Sequence, residues 1–130
     1  MFFIMKKLLF LALFSITLSA TLFAQQARIM GNWSGQFTGP EGKPLPFKMT
    51  ISENTYQFDI GGDGVVDITG SYTMDGTRVT VWDTAGQNIC PSDQKGVYEF
   101  TFSGDDSLTF TKVSDACPGR GAEPLVLKRM

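Results

Sequence analysis

Apolar and polar residues alternate with a period of two in eight short segments of this chain, and no useful length of it carries the spacing of an amphipathic helix. In Leu45-Pro-Phe-Lys-Met-Thr-Ile-Ser52, the residues Leu45, Phe47, Met49 and Ile51 alternate with Pro46, Lys48, Thr50 and Ser52. Successive side chains of a strand point to opposite faces, so such a segment buries one face and wets the other. The segments run over 29–37, 45–52, 55–60, 65–74, 77–83, 97–102, 107–113 and 123–129. Asp75-Gly76 between the fourth and fifth is a two-residue hairpin signal. The pattern predicts an all-β fold, an eight-stranded antiparallel up-and-down barrel.

The connections fall into two classes by parity. Glu53-Asn54, Asp75-Gly76 and 103–106 are short, whereas 38–44, 61–64, 84–96 and 114–122 are longer or rich in glycine. In a meander these sets lie at opposite ends, giving one tightly turned end and one long-loop mouth. Cys90 and Cys117 both fall at the mouth, so the topology permits them to bond.

The N-terminus reads as a targeting segment. Met1–Lys7 is basic, 8–18 is an apolar run of 11 residues, and 19–24 leads to Gln25-Gln26. This predicts a cleavable signal peptide over 1–24 and a barrel domain over 25–130. Leu22 at the −3 position makes cleavage after Ala20 the alternative to cleavage after Ala24. The apolar run falls short of the ~20 residues a membrane span needs, so no stable insertion is expected after cleavage. The expected location is the periplasm or the extracellular medium. There a disulfide is the default for the two cysteines, closing a loop of about 28 residues worth roughly 3–4 kcal/mol. A redox-active pair and a two-thiolate metal site are the alternatives. The first lacks a C-x-x-C spacing, the second a histidine.

Composition removes other functions. The chain has no histidine, which excludes Ser-His-Asp and Cys-His catalysis and histidine-held zinc. It has 11 basic and 13 acidic residues; Lys6 and Lys7 lie in the targeting segment, so 9 basic residues remain in 25–130. No basic patch offers itself to nucleic acid, and no basic amphipathic helix to a membrane surface. No spacing proposes a catalytic carboxylate pair. The expectation is a monomer that is not an enzyme and needs no cofactor or metal. Asp59-Ile-Gly-Gly-Asp63-Gly-Val-Val-Asp67 has a superficial likeness to a calcium loop. In that frame Gly61 and Gly70 stand where oxygen ligands are required, so it reads as a glycine-rich turn.

Alternation assigns inward positions to Trp33, Phe37, Leu45, Phe47, Met49, Ile51, Tyr56, Phe58, Val66, Ile68, Tyr72, Met74, Val79, Val81, Tyr98, Phe100, Phe102, Leu108, Phe110, Leu125 and Leu127. An eight-stranded barrel is either filled by such side chains or holds one small ligand. For a ligand, Phe37, Phe47, Tyr56, Tyr72, Tyr98 and Phe110 would supply ring surface and hydroxyls, and Lys112, also inward by parity, a cation at the mouth. Lys112 can equally snorkel to water. Asp115 and Arg120 flank Cys117 and can pair to order their loop. Trp82 points outward, to a partner or to cover by the adjoining loop.

Gly31-Asn32-Trp33 at the start of the first strand, followed by the alternating strands, resembles the G-x-W of lipocalin-like (calycin) barrels. The resemblance implies that Arg129, near the end of the last strand, packs over Trp33 and closes the barrel floor with Gly31. The segments Asp83–Cys90 and Asp115–Arg120 resemble those of small exported bacterial proteins of lipocalin-like families without assigned function. The function implied is binding of a small apolar or amphiphilic molecule. The alternative is a protein-interaction module with a packed barrel, such as an inhibitor of a secreted enzyme, by analogy with similarly small disulfide-bridged barrels.

Overall fold

The computed structural model describes residues 24–130. Residues 1–23 of the expected signal peptide, with the Ala20 cleavage site, lie outside the described residues. Eight strands follow one another around a closed antiparallel barrel of calycin-like form. They are β1 (Gly31–Thr38), β2 (Pro44–Ile51), β3 (Thr55–Ile60), β4 (Ile68–Asp75), β5 (Arg78–Gly86), β6 (Gly96–Ser103), β7 (Ser107–Asp115) and β8 (Leu125–Arg129). Each strand pairs with the next, and β8 returns to β1 through Trp33↔Arg129 and Ser34↔Lys128. The long loops gather at the mouth and the tight turns at the floor. A short 3-10 turn, Pro40–Gly42, lies in the loop between β1 and β2.

Several positions depart from the alternation. Residues 24–29 are helical, so β1 begins at Gly31 rather than at position 29. Ile29 is buried from that helical segment, and fewer than two turns are too short to show a helical period. Val65 and Val66 are exposed in the loop before β4, because Asp67 bonds back to β3: its amide donates to the Phe58 carbonyl (2.8 Å) and its Oδ2 accepts from the Ile60 amide (2.7 Å). Leu45, expected inward, is exposed at the rim of the mouth.

The floor is built around Trp33, which has no solvent exposure. Its indole Nε1 donates to the Ile29 carbonyl at 2.9 Å, tying the helical turn under the barrel. The Arg129 guanidinium lies 4.1 Å from the ring centroid of Trp33. It also donates to the carbonyls of Met30 (3.2 Å), Arg28 (2.7 Å) and Asp105 (3.3 Å). One cation thus satisfies carbonyls at the entry to β1 and in the turn before β7, while stacking on the buried indole. Gly31 adopts φ 128°, where a side chain would be strained and would press on Arg129.

Candidate functional site

Above the floor the barrel is hollow. A cavity of about 510 Å³ runs from Ile29 at the floor to the 117–124 loop at the mouth. Its middle is apolar, with Met49, Ile51, Phe58, Val79, Val81 and Phe110 among its walls. Of the expected ligand residues, Phe37, Tyr56, Tyr72, Tyr98 and Phe110 line it. Phe47 is buried beside it, stacked on Phe37 with ring centroids 4.3 Å apart and lying across Gly35. Lys112 stands opposite Tyr98 in the β6–β7 register, yet its side chain is exposed and does not line the cavity. Its long stem carries the ammonium to water.

The polar end of the cavity is a network at the mouth. Asp83, at the inner face of β5, is only 8% exposed. Its Oδ1 accepts from the Tyr56 hydroxyl at 2.8 Å, and its Oδ2 from Arg120 Nη1 at 3.3 Å. Arg120 grips Asp115 through Nε (2.8 Å) and Nη2 (2.9 Å) and donates from Nη2 to the Gln94 carbonyl (2.6 Å). The Tyr98 hydroxyl and the Cys117 amide also donate to Asp115. Every buried side-chain polar atom among the described residues has a partner.

Close approach at glycines makes this geometry possible. Gly70 pairs with Tyr56 on β3 and with Asp83 on β5, and the Tyr56 ring lies over it; a methyl there would collide with the ring. The phenol thereby spans β4 and delivers its hydroxyl to Asp83. Gly121, at φ 70°, lets the 116–124 loop descend onto the Tyr98 hydroxyl. The same loop is anchored by a Cys90–Cys117 disulfide with Cα atoms 5.9 Å apart. It forms a lid, held covalently at Cys117 and ionically at Arg120.

The charges respond to these surroundings. Burial, reinforced by the Asp83 carboxylate, pushes the Tyr56 phenol well above its usual range. Burial and the bond to Asp115 do the same to Tyr98. Burial works against the Asp115 carboxylate, but bonds from Arg120, Tyr98 and the Cys117 amide outweigh it and hold its pKa below the usual carboxylate range. Tyr72 differs from the other two tyrosines: its hydroxyl donates to the Ser52 carbonyl (2.6 Å), toward the floor and away from the mouth.

The barrel wall is thin beside the lid. Pairing of β5 with β6 stops at Val81↔Gly96, leaving Trp82–Gly86 beyond it. Lys95 from the following loop covers Trp82, with its ammonium 4.7 Å from the ring centroid. Across the barrel, β1 and β8 pair only near the floor. Their upper parts are joined by Glu123, whose carboxylate accepts from the Thr38 amide (2.9 Å) and hydroxyl (3.0 Å). Those two bonds lower the pKa of this exposed carboxyl.

Outside the cavity, carboxylate oxygens of Asp59, Asp63 and Asp67 come within 4.8 Å of one another. They accept backbone amides: Asp59 from Asp63 (3.1 Å) and Gly64 (2.9 Å), Asp63 from Val65 (2.9 Å) and Asp67 from Ile60. These bonds fold the glycine-rich turn.

Asp83 is the site residue that sequence reasoning missed. It shares the parity of Val79 and Val81, and an acidic residue on an inward face was the available signal. Comparison of the chain with protein-family models, curated proteins and solved structures finds no match.

Proposed function

We propose that this protein is an exported binding protein that holds a small apolar or amphiphilic molecule inside the barrel and performs no chemistry on it. The supporting observation is the cavity: at about 510 Å³ it falls within the ~300–1,000 Å³ of small-molecule sites, with apolar walls and a few polar groups gathered at one end. A barrel serving only as a scaffold for loops would gain stability by filling that space. Native mass spectrometry of protein from its own host, followed by organic extraction, tests the proposal. A bound molecule of a few hundred daltons is the expected result. Consistently empty protein that also shows no calorimetric response to a panel of apolar and amphiphilic compounds would refute it. That outcome would favour the interaction-module reading. N-terminal sequencing of the exported protein tests the signal peptide, with a start at Gln25 expected, or at Thr21 for the alternative cut.

A further inference from the structure

We infer that the molecule held by this barrel carries a protonated amine head, seated at the mouth against Asp83; this rests on the cavity being a ligand site. The reason lies in the hydrogen-bonding capacity that the polar end has already spent. A guanidinium has five N–H donors. Arg120 commits two to Asp115, one to the Gln94 carbonyl and one to Asp83, leaving one on Nη1. The hydroxyl protons of Tyr56 and Tyr98 are committed to Asp83 and Asp115. The capacity left toward the cavity is mainly lone pairs: those of the Tyr56 oxygen, and those of an Asp83 carboxylate that accepts one bond at each oxygen.

The charge has the same sense. Asp83 and Asp115 outnumber Arg120, their shared cation, and Glu123 adds a further carboxylate to the lining at the β1–β8 seam. A carboxylate head entering here would meet Asp83 with only one free N–H to receive it. Its own charge would be repelled in a setting of low dielectric. An ammonium brings three donors to an acceptor-rich, net-negative end, and its chain continues into the apolar wall below. Lys112, the residue that would have welcomed an acid, lies outside the lining.

Calorimetric titration of the purified protein at pH 7 with decylamine, decanol and decanoate tests this. These probes share a chain and differ in the head. Decylamine should bind at least tenfold more tightly than decanoate, with decanol between them. In Asp83→Asn, and in Glu123→Gln, the ratio of amine to carboxylate affinity should fall by threefold or more. Glu123 is exposed, so its variant keeps the test decisive if the Asp83 variant does not fold. Decanoate or decanol binding as tightly as decylamine would overturn the amine assignment and leave the cavity reading standing. An affinity ratio unchanged in every folded variant would do the same. If none of the three probes binds, the amine assignment falls, and the cavity reading falls with it only if the protein from its own host is also empty and the wider panel gives no response.

Discussion

Replacing Arg120 with methionine removes the cation from between Asp83 and Asp115 while keeping an unbranched apolar stem as far as the position of Nε. The Asp115 side chain has no solvent exposure and that of Asp83 is 10% exposed, so neither carboxylate can turn to water where it stands. Breaking a buried pair by deleting one partner costs about 3–5 kcal/mol, most of it the uncompensated charge left behind. Arg120 serves two carboxylates, which argues for the full range. Its own side chain is 18% exposed, and the disulfide keeps the lid tethered, which argue for the lower part of it. An expected loss of about 3 kcal/mol at pH 7 corresponds to a melting temperature lower by ~12–24 °C for a domain of this size. The deficit should shrink as pH falls below about 4. There Asp115, whose folded pKa is depressed, gives up in the parent protein the stability that this depression supplies above that range. Thermal unfolding followed by circular dichroism at pH 7 and pH 3.5, with the disulfide verified by mass, measures both effects. A loss under about 1 kcal/mol at pH 7 would refute the reasoning, because it would place the pair among surface ion pairs.

At the floor, Trp33→Ala should cost about 3–5 kcal/mol in chemical denaturation, as a truncation of a fully buried ring that also supports Arg129 and Ile29. Gly70→Ala should cost about 1–3 kcal/mol by forcing the Tyr56 ring off β4. The displaced phenol should then titrate closer to the ordinary tyrosine range, visible as an ultraviolet difference spectrum. Reduction of Cys90–Cys117 should lower stability by roughly 3–4 kcal/mol in the chain-entropy account, read as a shift in denaturation midpoint. At alkaline pH, Tyr56 and Tyr98 stay protonated in the folded barrel but ionise in the unfolded chain near pH 10, so stability present below pH 10 is lost as pH rises. Each contributes a slope of up to ~1.4 kcal/mol per pH unit, and Tyr56→Phe should flatten the profile.

Much of the barrel was legible because its determinants are local or periodic. Alternation located eight strands, and turn length sorted their connections into floor and mouth. That sorting alone placed Cys90 and Cys117 at one end, where they are bonded. Asp115 and Arg120 lie five residues apart in one loop, so their pairing was visible as well. Asp83 was not, because it lies 37 residues from Arg120 and only the register joins them. The match of Gly70 to the Tyr56 ring is likewise a cross-strand fact. It depends on which residue of β4 faces which residue of β3, and a slip of one position would abolish it.

One irregularity explains why strict alternation could not assemble the mouth. Between Val97 and Tyr98 the β6–β7 register shifts: Tyr98 faces Lys112, but Val97 faces Ser114, leaving Val113 as an extra residue on β7. A bulge of this kind interrupts the period of two and re-aims the side chains beyond it. Counting inward from Leu108 and Phe110 by alternation gives Lys112 and then Ser114, with Asp115 on the outer face. The extra residue reverses that parity. Val113 is left exposed, and Asp115 pairs with Gly96, its carboxylate folded over that glycine to meet Tyr98 and Arg120. A second shift, between Thr69 and Gly70, lies just beyond the Gly70↔Asp83 pair, which keeps the register of the hairpin, and leaves Thr84 as an extra residue on β5. Both tyrosine–aspartate contacts at the mouth therefore sit beside bulges, while the floor around Trp33 and Arg129 keeps a regular register. The regular half supplies the barrel its closure. The bulged half brings the Asp115 carboxylate inward beside that of Asp83, which regular alternation already points there; both run against the usual exclusion of charge from a core, and Arg120 on the lid makes their burial tolerable.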